Sequence, residues 1–249
     1  MTVAIQRGEV RNRLLASLRD ADFECISLGL EPMVLSRGLV LETPGEPVED
    51  VVFVESGIAS RIVVGAPHGE TECGHVGFEG MTGKPVILGG RNAINRIEVR
   101  VPGIGLRIAA DRIKDLLDQS RTFRDLMNTY VLACEIQTEH TLLAATNYTI
   151  NQRLARWLLM YQDRTTGEEL AITHDVLSDL LNVRRASITQ ELHVLEGIRA
   201  IRSNRGSILI RDRSLLIDVA GGSYGIPERE YEMLIPSPAA ASGARQDVP

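Results

Sequence analysis

Between Thr173 and Glu196 the chain reads THDVLSDLLNVRRASITQELHVLE, and this stretch restricts the possible folds more than any other. Thr173 can cap a helix whose inner face is Val176, Leu177, Leu180 and Leu181. Asn182 falls where a tight turn needs a left-handed residue; Gly is usual there and Asn the next most tolerant. Val183 then points inward, and Ile188, Leu192 and Leu195 recur at i, i+4 and i+7 to pack a second helix. Two short helices joined by so short a turn, with this burial pattern, make a helix-turn-helix.

The outward positions of the second helix are Arg184, Arg185, Ser187, Thr189, Gln190 and His193. These donor-rich side chains suit base edges and phosphates, whereas an ordinary solvated face mixes Glu and Lys. Ala200–Ser203 and Ser207–Arg211 are two β runs around Asn204, Arg205 and Gly206, a hairpin whose basic tip makes a wing. A three-helix scaffold with an Arg-rich surface is the plainer alternative, but it does not account for helix, turn, helix and hairpin in that order. The net charge of −6 looks wrong for a nucleic-acid binder until it is mapped. From Val183 to Arg213 seven Arg face three acids, a local +4. Phosphates respond to charge within a Debye length of about 8–10 Å, so an acidic whole does not veto a basic reading surface.

Upstream the texture differs. Residues 1–22 read as a short helical lead-in, and from Cys25 to Ala109 short β-rich runs alternate with Gly, Pro and Asn turns. The runs are Val51–Val54, Ile58–Val64, Pro85–Leu88, Ile97–Val101 and Gly105–Ile108, the pattern of an antiparallel sandwich or barrel. From Asp111 the spacing turns helical, and no Gly or Pro interrupts Ala109 to Thr166. A helix of about thirty residues with an apolar stripe needs cover: its first half on the β domain, its second in a seam with a symmetry mate. Thr149-Ile150-Asn151-Gln152 offers a capping box for a further helix. Gly221 to Pro249 has little to bury, and its end, from about Pro236, is expected to be disordered.

With these residues in hand, the chain over about residues 10–220 resembles the Crp/Fnr family of bacterial transcription regulators, relatives of the cyclic-AMP receptor protein. The likeness is most specific in INQRLARWLL (150–159), in LSDLLNVRRASITQELHVLE (177–196) and in GSILIRDRSLL (206–216); GFEGMTGKPVILGG (77–90) is similar to the sensor domains of many members. The resemblance implies an α+β fold. It consists of an N-terminal double-stranded, jelly-roll-like β-roll sensor domain (10–110), a long dimerisation helix (111–145), a C-terminal winged helix-turn-helix (148–220) and a tail (221–249). It makes Arg185 the candidate for bidentate contact to a guanine, with Ser187 and Gln190 on neighbouring bases or phosphates, and His174 and Arg184 on the backbone. Thr189, His193, Asn204 and Arg205 complete the expected DNA-binding set. Ala186 departs from the Glu of many members and Gln190 from the Arg of some, so the half-site is expected to differ from the family's best-known one.

The family's cyclic-nucleotide cassette has a Gly-Glu that holds the ribose and, further on, an Arg-Ser/Thr that binds the phosphate. With Gly83 in the Gly position, Lys84 replaces the Glu, and Ile94-Asn95 replaces Arg-Ser/Thr. A cyclic phosphate without its Arg loses its strongest hydrogen bonds, so cyclic-AMP control is not expected. Glu79, Gly83, Lys84, Ile94 and Asn95 remain the candidate effector pocket, with no cofactor and no identified effector. Cys25 has no cysteine near it to build an iron–sulfur site, and Cys73 and Cys134 read as core residues. The rival from another class is a cupin-like metal-binding enzyme or metal sensor using His68, Glu70, Glu72 and His75. The cupin pattern's His-x-His is absent, and Gly69 and Gly74 suggest a solvated edge. No metal site and no catalysis are expected. The expected partners are double-stranded DNA, a second copy and, for an activator, RNA polymerase. With no membrane span and no signal peptide at the start, a cytoplasmic location is expected.

Overall fold

The computed structural model describes residues 5–65 and 69–236. Two short helices lead in, α1 (Arg13–Ser17) and α2 (Asp20–Ser27). Asn12 caps α1, its Oδ1 accepting from the Leu14 and Leu15 amides. Seven strands follow: β1 (Glu31–Leu35), β2 (Val40–Glu42), β3 (Asp50–Val54), β4 (Ile58–Gly65), β5 (Gly69–Val76), β6 (Arg96–Val101) and β7 (Gly103–Ala109). They pair antiparallel throughout as two sheets, ordered β1-β7-β3 and β2-β6-β4-β5. Leu35, Val52, Val54, Val76 and Val99 form an apolar cluster in this β unit, the expected β-roll. Where β6 turns into β7, a Cβ on Gly103 would sit 2.0 Å from the Ser56 carbonyl oxygen, so only glycine fits that crossing.

Three expectations are corrected here. Pro85–Leu88 is not a β run: Lys84–Ile87 is a helical turn, α3. Gly83 enters it at φ +76°, and Pro85 sits in its first turn, where a missing N–H costs nothing. The long helix is not continuous either. It breaks into α4 (Ala110–Gln119) and α5 (Arg121–Asn147) at Ser120, whose hydroxyl accepts from the Phe123 amide and caps α5. Ser is a cap former as well as a tolerated helix residue, so the break needed neither Gly nor Pro. Third, the solvated edge expected of β5 holds only for Gly69–Thr71; farther along the strand Glu72 and His75 are each only 4% exposed.

The first half of α5 packs on the roll through Phe123, Met127 and Tyr130, as expected. Farther along, Leu132 and Leu142 stand 50% and 67% exposed. Helix α6 (Ile150–Arg164) starts with the expected capping box, Thr149 paired with Gln152. Then come β8 (Glu169–Leu170), α7 (His174–Leu181), α8 (Arg185–Gly197), β9 (Ile201–Asn204), β10 (Ser207–Ile210) and α9 (Arg213–Ala220). Trp157, Leu177, Leu180, Ile188, Leu192, Leu195, Ile208 and Leu216 share one core in this unit, and Ile58 of the roll joins it.

The tail, expected to have little to bury, instead carries α10 (Ile226–Leu234), which returns to the β-roll. Ile235 is buried in the N-terminal core, with Tyr231 and Leu234 packed against it. Arg13 binds Glu232 with both terminal nitrogens, donates to the Ile235 carbonyl at 2.9 Å and lies over the Tyr231 ring. These partners stand more than 200 residues away from Arg13 along the chain, which is why tail composition gave no sign of them. The stretch 237–249, expected to be disordered, lies outside the described residues.

Candidate nucleic-acid interface

Thr173 caps α7 through its hydroxyl, which accepts from the Val176 amide at 3.3 Å. Asn182 takes the left-handed conformation that the turn demands (φ +50°, ψ +54°). Ser178 locks the turn by donating to the Val183 carbonyl at 2.6 Å. Helix α8 then buries Ile188, Leu192 and Leu195 completely, which fixes its opposite face outward. Arg184, Arg185, Gln190 and His193 are exposed, with Ser187 and Thr189 half-buried beside them. No side chain caps the start of α8, and Arg184, Arg185 and Ala186 around it are exposed, so this helix N-terminus is a place for a phosphate.

Three of the sequence candidates, His174, Thr189 and Arg185, turn out to be engaged within the protein. His174 lies between α7, α8 and β9, with Nδ1 3.1 Å from Thr189 Oγ1 and Nε2 3.3 Å from Ser203 Oγ. Both ring nitrogens are thus occupied, and His174 pins the wing to the recognition helix. Arg185 Nε lies 2.8 Å from Asp175 Oδ1, an exposed pair that sequence reasoning did not foresee. In the wing, Asn204 and Arg205 are exposed at the β9–β10 turn, closed by Gly206 at φ +84°. Glu196 Oε1 accepts from the Ser203 amide at 2.7 Å and sets the wing's angle to α8. Arg202, exposed on β9, adds to the basic face; Arg213, counted in the basic stretch, is diverted to Asp163, Gln162 and Tyr224.

The sensor-domain candidates divide. Gly83, Lys84, Ile94 and Asn95 line one cavity of about 200 Å³, together with Glu42, Arg61, Val76, Met81, Thr82, Pro85, Ile97, Tyr130 and Cys134. Glu79 does not belong to it. Its carboxylate accepts from Arg164 Nε at 2.6 Å, tying the roll to α6, and its carbonyl accepts from the Tyr231 hydroxyl of α10. Glu42 accepts from the Gly83 amide at 2.6 Å, and burial pushes its carboxyl up despite that bond. Arg61 and Glu42 carried no local sequence signal, because only the strand pairing brings them under α5.

The residues of the metal-binding rival are also separated. His68 lies outside the described residues, and Glu70 is ion-paired with Arg96 on β6. Glu72 accepts from Ser60 Oγ at 2.9 Å and lies 3.3 Å from His75, in a pocket closed by Trp157 and Tyr161 of α6. Burial raises Glu72 well above the ordinary carboxylate range and lowers His75 well below the histidine range, so the site opposes the charged form of each. Among the described residues no three His, Cys, Asp or Glu side chains gather as a metal site. Nor, among them, is any helix long and apolar enough to cross a membrane.

Residues 152–219 match the Crp-like helix-turn-helix domain family. No curated protein matches the chain. Among solved structures, a transcriptional regulator of the Crp/Fnr family from Eubacterium rectale is 20% identical. That match covers 83% of this chain and 97% of the other, with a TM-score of 0.64. FixK2 from Bradyrhizobium japonicum is 13% identical over 78% and 98% of the two chains, with a TM-score of 0.66. CLP, a c-di-GMP-responsive global regulator of Xanthomonas campestris, is 14% identical over 77% and 99%, with a TM-score of 0.62. At such identities the likeness establishes the fold alone, and the domain match bears on residues 152–219. Residues 152–219 form a Crp-like, DNA-binding helix-turn-helix domain on a chain built like the Crp/Fnr transcription regulators.

Proposed function

We propose that the protein is a homodimer, paired along α5, that reads a near-palindromic operator with two copies of α8. The observation that carries this reading is the outward face of α8, where Arg184, Arg185, Gln190 and His193 stand exposed beside a basic wing. The dimer rests on the exposed Leu132, Leu142 and Leu143 of α5, a stripe that a second copy covers. A two-fold axis along α5 brings two recognition helices to successive major grooves about 34 Å apart. Arg185 reads a base edge, Ser187 and Gln190 its neighbours, and Arg184, Arg205 and the amides at the start of α8 hold phosphates. His174, Thr189 and Asn204 shape the surface that meets the backbone.

Control by cyclic AMP is disfavoured, since Ile94 and Asn95 stand where the family's cassette has Arg-Ser/Thr, and about 200 Å³ is small for a nucleotide. The cavity lies against Tyr130 and Cys134 of α5, so an occupant biases the helix that sets the two DNA-binding domains. Selection of bound sequences from a random duplex library, with no ligand added, tests the proposal. Enrichment of a two-fold-symmetric motif supports it. Enrichment of a single asymmetric half-site refutes the dimer, and no enrichment with or without cell extract refutes specific reading.

A further inference from the structure

The cavity between the roll and α5 is lined by a buried cation, Arg61, that makes no direct ion pair among the described residues. Arg61, in the middle of β4, is only 6% exposed. Its guanidinium makes one hydrogen bond among the described residues, from Nη2 to Thr138 Oγ1 on α5 at 2.9 Å, and no carboxylate there lies within 4.0 Å of it. A buried charge is costly unless a partner of opposite sign meets it. The acid that shares the cavity, Glu42, accepts from the Gly83 amide and stands beyond direct pairing distance of Arg61, which acts on it only at longer range. The Tyr130 hydroxyl is spent as well, donating to the Met81 carbonyl and accepting from the Met81 amide.

We infer that this cavity binds a short organic carboxylate, with Arg61 as the residue that holds its charged end. The inference rests on the effector-pocket reading above and names the ligand class. The guanidinium fork matches a planar carboxylate, and Lys84 at the same cavity adds a second positive charge. Val76, Met81, Pro85, Ile94 and Ile97 supply an apolar wall for the rest of the molecule. The size limits that body. About 200 Å³ is below the usual range for drug-sized ligands, roughly 300–1,000 Å³, which suits a single ring or a short chain. Because Arg61 also bonds Thr138, an anion on its free nitrogens joins β4 to α5 through one side chain.

The test uses the full-length protein with benzoate, hexanoate, inorganic phosphate and cyclic AMP as probes, read by thermal unfolding. Benzoate or hexanoate is expected to raise Tm by several degrees at about a hundredfold excess over Kd, well beyond chloride at equal ionic strength. Phosphate, which has no apolar body for the apolar wall, and cyclic AMP, which is large for about 200 Å³, are expected to fall well short of the carboxylates. Arg61→Met is expected to abolish the carboxylate response and to leave the ligand-free protein as stable as before or more so, because it removes an uncompensated charge. Arg61→Lys keeps the charge without the fork and is expected to weaken benzoate about tenfold or more. If neither carboxylate exceeds chloride, or if Arg61→Met still responds, the inference fails. It fails too if Arg61→Met loses several degrees without ligand while wild type ignores every probe, since Arg61 is then a structural bond to α5. Operator selection with Arg61→Met separates the two readings: a retained motif leaves DNA reading intact whatever the pocket binds.

Discussion

In the isolated chain Arg185 is held by Asp175, at 2.8 Å, with both side chains about two-thirds exposed. DNA has to take Arg185 from that partner before a guanine can have it. An exposed pair of this kind is worth about 0.2–1 kcal/mol. Asp175→Asn removes that cost, so specific binding is expected to strengthen roughly 1.4- to 5-fold per recognition helix. For a two-fold-symmetric complex this is about 2- to 30-fold, since both helices contribute. Removing a negative charge beside the phosphates works in the same direction, and both effects shrink as salt rises. The assay is fluorescence anisotropy on the selected operator at several salt concentrations. Arg185→Ala serves as control, losing about 1–3 kcal/mol per half-site on the operator while sparing random sequence. In that background Asp175→Asn is expected to retain only its weaker, salt-screened part. Asp175 also sits in the first turn of α7, so the substitution costs a few tenths of a kcal/mol in stability, visible separately in Tm. If Asp175→Asn instead weakens operator binding at every salt concentration, the reasoning is refuted: the carboxylate then holds Arg185 in its reading position.

Other outcomes follow from the packing and the charges. Leu192 is fully buried beneath α8, so Leu192→Ala is expected to destabilise the C-terminal unit by about 2–5 kcal/mol, measured by denaturant unfolding. Burial, with the charges of Arg164, Arg156 and Arg61 behind it, holds His75 below the unfolded value of 6.5. Its contribution to stability is therefore complete above about pH 6.5 and lost as pH falls below that. His75→Phe is expected to flatten the decline between pH 6.5 and 5.5 by up to about 1.4 kcal/mol, compared by urea midpoints. Glu72, raised by burial, acts in the opposite sense and touches His75, so the comparison is made in a Glu72→Gln background where that titration is absent. Arg164→Ala leaves the Glu79 carboxylate in the domain junction without its partner; a loss of about 3–5 kcal/mol is expected, discounted for the slight exposure of both groups.

What the sequence revealed was whatever one element decides for itself. The apolar spacing of Ile188, Leu192 and Leu195, the left-handed Asn182 and the caps at Thr149 and Thr173 all depend on neighbours within a turn or two. The basic face of α8 was legible for the same reason. Contacts across the fold were not. Nothing local tells that His174 spends both ring nitrogens on Thr189 and Ser203, or that Glu79 turns from the cavity to meet Arg164. Glu72 and His75 looked like a solvated alternation because Trp157 and Tyr161, which close over them, lie more than 80 residues away. Ser120 misled in another way, since the same residue serves a helix interior and a helix start, and packing decides between them.

The return of α10 to Arg13 has a kinematic consequence. The DNA-binding unit is joined to the rest of the chain at the α5–α6 connection, Tyr148–Thr149, and again at the seat of α10 on the roll. Between those two points the Arg164–Glu79 pair and the burial of Ile58 in the C-terminal core tie the unit to the roll a third and a fourth time. The recognition helix is therefore clamped, and it is freed only when the inner ties open. While Ile235 stays in its seat, that freed motion is a hinge about the line from Tyr148 to α10.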